Sequence, residues 1–92
     1  MKIVLSNKFS VSLNNTLDYI AKDSLSKSLH FKKELNKKIN NIKFMPYKYR
    51  KSLYYDNKNI RDLIFKGYTI PYLIDIENDK IVILDIFKWI DR

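Results

Sequence analysis

The last third of the chain, Ile60 to Arg92, constrains the fold most. It reads IRDLIFKGYTIPYLIDIENDKIVILDIFKWIDR, three apolar-rich runs separated by Lys66-Gly67 and by Glu77-Asn78-Asp79-Lys80. Each run is too short for an ordinary globular helix. Each is rich in Ile, Tyr, Val and Phe, which suit a pleated, half-buried surface. Three consecutive antiparallel strands follow from this. Gly67 supplies a positive φ for the first turn. In the second run Tyr68, Ile70, Tyr72, Ile74 and Ile76 share one face by period two. Pro71 cannot donate to a ladder, so an edge or a bulge is expected there. Ile81 to Leu84 has no polar alternation, which predicts a strand covered on both faces and the most buried of the sheet. Asp85 to Trp89 continues it with one side turning polar.

The preceding residues read as a cover for one face of that sheet. Lys2 to Ser6 is a short strand whose consecutive Ile3, Val4 and Leu5 suggest cover on both faces. Ser6 or Asn7 then caps a helix over about Lys8–Lys22, with Phe9, Leu13, Thr16 or Leu17, and Ile20 as its apolar stripe. Asp23-Ser24 breaks it and caps a second helix. There Leu25, Ser28, Phe31, Leu35, Ile39, Ile42 and Met45 lie on one face, and Pro46 stops it. The short link makes an antiparallel helical hairpin. The expected architecture is α+β in a single domain over residues 1–92: an N-terminal strand, then a two-helix hairpin packed on a C-terminal antiparallel β-meander.

Composition narrows the chemistry. The 92 residues hold no Cys and one His, which excludes a disulfide scaffold and a His/Cys zinc site. No metal and no cofactor is expected. No apolar run nears the ~20 residues that span a bilayer, and the N-terminus is too short in apolar residues for a signal peptide, so a cytoplasmic protein without membrane contact is expected. The net charge of +8 is uneven. Residues 1–51 carry twelve Lys/Arg and three Asp/Glu, whereas residues 52–92 carry six and seven. That asymmetry points to a nucleic acid or an acidic protein segment as partner, although each lysine alone reads as solvated surface.

No nucleophile elbow, phosphate-binding Gly loop or His-containing triad is present. His30, beside the core position Phe31, reads as a boundary residue. What remains is cationic and aromatic. Lys48, Arg50, Lys51, Arg61, Lys66, Tyr68, Lys88 and Arg92 are candidates for binding a phosphate or moving a proton, and Tyr47, Tyr49, Phe87 and Trp89 for stacking on bases. The plainer readings are packing at the sheet rim for Tyr68 and Tyr72, and an ion pair with Asp62 or Asp85 for Arg61.

The order of elements, with KIVLS, LDYIAKDS at the helix junction, Pro46 to Arg50, Ile60-Arg61-Asp62-Leu63, Tyr68-Thr69-Ile70-Pro71-Tyr72 and Ile83 to Trp89, resembles the RelE/ParE superfamily of bacterial type II toxins, the ParE-like branch above all. The resemblance covers nearly the whole chain. It implies a growth-arresting toxin neutralised by an antitoxin, and two routes of action. ParE-like members inhibit DNA gyrase; RelE-like members cut mRNA on the ribosome without metal. In the nuclease version the catalytic set would be Arg61, Lys88 and Arg50. In either version Lys48, Arg50, Lys51, Arg61, Lys66, Trp89 and Arg92 would face the target. Arg50 matches the family's basic position after the second helix, and Arg61 the strand arginine. Lys88 stands where many members have His or Arg, and no Tyr follows Arg92, departures that favour binding over cleavage. The antitoxin is expected to be acidic or amphipathic. A basic RNA-binding domain without toxicity is the third reading.

Overall fold

The computed structural model describes residues 1–88. Strand β1 (Lys2–Leu5) leads into helices α1 (Asn7–Asp23) and α2 (Leu25–Asn41), and a 3-10 turn (Ile42–Phe44) ends the hairpin. Strands β2 (Ile60–Phe65), β3 (Tyr68–Asp75), β4 (Lys80–Ile83) and β5 (Phe87–Lys88) follow. Both helices start where a serine can cap. Ser6 Oγ accepts from the Phe9 N–H at 3.0 Å, and Ser24 Oγ from the Lys27 N–H at 3.2 Å. Ser6 also donates to the Leu84 carbonyl at 2.9 Å, which ties the start of α1 to the sheet. Ser28, on the α2 stripe, donates to the Leu17 carbonyl at 2.8 Å and fastens the two helices.

The sheet order is β1-β4-β3-β2, with β5 continuing beside β3 past the end of β4. Strands β2, β3 and β4 form the expected antiparallel meander. Strand β1 pairs parallel to β4, so the sheet as a whole is mixed. The hairpin packs on one face. Phe9 and Leu13 of α1 and Phe31, Leu35 and Ile39 of α2 form one core with Leu63, Phe65, Ile70, Tyr72, Ile74, Ile81 and Ile83. Burying such side chains contributes about 1.5–3 kcal/mol each. No helix among the described residues is long and apolar enough to cross a membrane.

Several sequence expectations need correction. Strand β1 is an edge: Ile3 packs on the core, but Leu5 is 51% exposed, because only β4 flanks it. The stripe of α2 holds from Ser28 to Ile42, while Leu25 and Met45 at its ends are exposed. The α-helix stops at Asn41, before Pro46 can act, and Ile76 is exposed beyond the end of β3. The most buried strand is β3 rather than β4. Thr69, Ile70, Pro71 and Tyr72 are all buried, whereas Val82 of β4 is half-buried. The reason is position: β3 is central, flanked by β2 on one side and by β4 and β5 on the other, and Phe87 beside Thr69 is met edge-on by Tyr54 at 4.9 Å.

Pro71 therefore lies in a central strand. Asp62 opposite it sends its N–H outward to the Arg50 carbonyl at 3.1 Å, so the β3 groups at Pro71 face β4 and β5. There the facing strand is broken. Tyr72 pairs with Ile83 and Thr69 with Phe87, so one extra residue lies between them on the facing side. The bulge at Leu84–Ile86 opposes the proline. Leu84 N–H donates to the Pro71 carbonyl at 2.9 Å, and no ladder bond is asked of the missing donor.

Candidate functional site

The segment from Pro46 to Asn59 has little regular structure, yet it is firmly tied. Its start is fixed by Tyr72, whose buried hydroxyl donates to the Pro46 carbonyl at 2.6 Å, and by the edge-on contact of Tyr49 with Tyr72. Burial, with Tyr49 adding to it, pushes the Tyr72 phenol well above its ordinary range. Next the chain runs along the outer edge of β2. Lys51 bridges to Arg61, and Ser52 N–H donates to the Ile60 carbonyl at 2.8 Å. It then crosses to the far face, where the Leu53 N–H donates to Asp62 Oδ2 at 3.1 Å.

Neighbouring residues of β2 point to opposite faces, which separates two arginines that the sequence grouped together. Arg50 turns to the far face, 3.6 Å from the fully buried Asp62 carboxylate. Oδ1 of that carboxylate and the nearby Thr69 hydroxyl are buried without a hydrogen-bond partner. Arg61 stays on the helix face beside Tyr72. Its Nη1 donates to the carbonyls of Tyr49 at 3.1 Å and Tyr47 at 3.4 Å, and its Nε to that of Lys58 at 3.3 Å. The Tyr47 ring stacks on the guanidinium, 4.9 Å from centroid to Cζ, and the Tyr47 hydroxyl donates to Asn59 Oδ1 at 3.3 Å. The expected ion pairs of Arg61 are not formed: Asp62 is paired with Arg50, and Asp85 with Lys8 at 3.5 Å. Around Arg61 lies an open recess of about 440 Å³, lined also by Tyr47, Lys51, Lys58, Asn59 and Ile76.

The other candidates lie elsewhere. Lys48 is exposed with its ammonium 5.7 Å from the Tyr49 ring. Lys66 sits at the β2–β3 turn, its ammonium 5.4 Å from the Phe65 ring, and lines a second recess with Ile20, Ser26, Lys27, His30 and Phe31. Tyr68 packs edge-on against Phe31 at 5.4 Å, a rim-packing role. Lys88 is exposed and pairs with Tyr68. Arg61 pairs with Tyr72 on the other side of β3. Four strand residues at ~3.3 Å each put Arg61 and Lys88 on the order of 13 Å apart along the sheet alone. Trp89 and Arg92 lie outside the described residues. No group of three or more His, Cys, Asp or Glu among the described residues could hold a metal.

Sequence reading missed Lys58, Asn59 and Ile76 as neighbours of Arg61. Lys58 and Asn59 stand in Asp56-Asn57-Lys58-Asn59, a run of turn-forming residues, and Ile76 shares a face with Ile74 by period two. It also missed Asp62, because an acid between Arg61 and Leu63 gives no sign that it will be buried.

The chain matches the family model of the ParE toxin of the type II toxin-antitoxin system, parDE, over residues 3–88. It belongs to that family. Among solved structures it is similar to the chromosomal ParDE toxin-antitoxin system of P. aeruginosa, with a TM-score of 0.76 and 15% identity over 96% of this chain and 95% of that one. At that identity the likeness is one of fold. No curated protein matches the chain in sequence. At Arg61 and Asp62 the partners Tyr47, Tyr49, Leu53 and Lys58 all come from segment 46–59.

Proposed function

We propose that this ParE-family toxin arrests growth in the cytoplasm by binding DNA gyrase, and that a cognate antitoxin neutralises it through an acidic or amphipathic segment. Family membership supports the toxin role, and the similarity to a ParDE system supports an antitoxin partner. The observation that carries binding over cleavage is how Arg61 is held. Three backbone carbonyls and a tyrosine ring fix it as a cation, and it forms no ion pair among the described residues. A nuclease site also needs groups that give and take a proton beside the phosphate. The nearest buried phenol, Tyr72, donates to a carbonyl, and burial raises its pKa, so it keeps its proton at neutral pH and is not free to accept one. The other proposed members, Arg50 and Lys88, stand on the far face and toward the other end of β3. Of the proposed target-facing residues, Lys51 and Arg61 line one recess, whereas Arg50 stands on the far face and Lys66 at the β2–β3 turn, and Lys48, Trp89 and Arg92 complete the proposed set.

Purified protein added to gyrase should inhibit supercoiling in proportion to its concentration, and leave ribosome-bound mRNA intact. Unchanged supercoiling at a large excess would sink the gyrase assignment. Cleavage of ribosome-bound mRNA that is lost on Arg61→Ala and Lys88→Ala would put the nuclease in its place.

A further inference from the structure

We infer that the recess at Arg61 is a preformed carboxylate site, built to take one aspartate or glutamate side chain, flanked by apolar residues, from a bound protein segment. The inference rests on the antitoxin reading above and names the chemistry by which such a segment is held.

The guanidinium is oriented before any partner arrives. Its Nη1 and Nε edges are taken by the carbonyls of Tyr47, Tyr49 and Lys58, and the Tyr47 ring covers it. Tyr47 is itself fixed by Asn59. Among the described residues nothing accepts from Nη2 and no carboxylate neutralises the charge. The ammonium groups of Lys51 and Lys58 line the same recess and enter no ion pair among the described residues. Three cations line one concavity with no acid among its lining residues, and Nη2, the one guanidinium nitrogen left free, can donate a charge-assisted hydrogen bond to a single carboxylate.

Phosphate would satisfy the same charge, but the surroundings favour a protein segment. A nucleic-acid backbone asks for a track of cations along a groove. Here the cations surround a single recess. Its rim carries Tyr47, 46% exposed, and Ile76, 64% exposed. Apolar side chains beside a lone anion site fit an acidic residue between apolar ones, and the geometry costs little ordering of the toxin on binding.

The test uses the intact protein and three probes: a blocked leucine–glutamate–leucine peptide, its leucine–glutamine–leucine counterpart, and a single-stranded RNA decamer. Binding is followed by NMR at the Arg61 Nε–H and the Tyr47 ring. The glutamate peptide should shift these signals and bind at least ~5-fold more tightly than the glutamine peptide, as a charge-assisted pair requires. Lys51→Ala combined with Lys58→Ala, both exposed and outside the core, should remove most of that difference with the fold intact. Equal binding of the two peptides, shifts confined to other residues, or displacement of the glutamate peptide by the RNA at equimolar concentration would each overturn the inference. Gyrase inhibition measured on the same preparations separates the readings. If it persists while the peptides miss the recess, the carboxylate site fails and the toxin assignment stands.

Discussion

Two side chains carry consequences out of proportion to their size. Tyr72 is buried, donates to Pro46, and has its phenol pushed above the ordinary range by burial. In the unfolded chain the same phenol titrates near its usual ~10. Below that pH both states keep the proton and the stabilisation is complete. As pH rises past it, only the unfolded state releases the proton, so stability falls until the folded phenol ionises as well. Thermal unfolding should therefore show a melting temperature that declines above about pH 10, with a shallower decline in Tyr72→Phe. That variant should also lose about 1 kcal/mol at neutral pH through the missing hydrogen bond to Pro46. Asp62 is the second residue. Asp62→Ala leaves the Leu53 N–H without its acceptor and releases Arg50, and should cost ~2 kcal/mol in urea unfolding. Arg50, with 42% of its side chain exposed, is screened by water, so Arg50→Ala should cost under ~1 kcal/mol. Equal losses in the two variants would contradict a buried acceptor role for Asp62.

At the scale of elements, the β2–β3 turn is the most sharply specified piece. Phe65 pairs with Tyr68, and the two residues between them both have positive φ, Lys66 at 49° and Gly67 at 83°. Two successive left-handed residues suit the right-handed twist of a two-residue hairpin. A Cβ at Gly67 would meet no atom within 4 Å, so the cost of Gly67→Ala is backbone strain alone, about 1 kcal/mol. Asn at the same position tolerates that conformation better and should lose less; chemical denaturation of the two variants side by side checks the order. The irregular segment 46–59 behaves as an element too. It binds the outer edge of β2 from Ile60 to Asp62, and so protects part of an edge that would otherwise offer unpaired backbone groups.

At the scale of the molecule, the charge excess in residues 1–51 sits on the helical hairpin and the first part of segment 46–59, while the sheet that follows is close to neutral. Association with an acidic partner should be fast at low salt and slow markedly as ionic strength rises from ~0.05 to ~0.5 M, with dissociation changing less. Stopped-flow mixing with the antitoxin segment reads this directly, and a salt-independent association rate would refute electrostatic steering. The sequence by itself determined the elements that depend on periodicity and local chemistry. These are the helix starts after Ser6-Asn7 and Asp23-Ser24, the stripe from Ser28 to Ile42, the alternation of Tyr68 to Ile74 and the Lys66-Gly67 turn. Each is set by neighbours within a few residues. Only the tertiary structure decided what depends on distant partners. It placed β1 parallel to β4, made β3 the central strand, and put the bulge of Leu84–Ile86 opposite Pro71. It also turned Arg50 and Arg61 to opposite faces. At Arg61 the physical reason is plain: a guanidinium accepts nothing and must find acceptors, and the three carbonyls it found belong to Tyr47, Tyr49 and Lys58, brought to it by a segment with no periodicity to read.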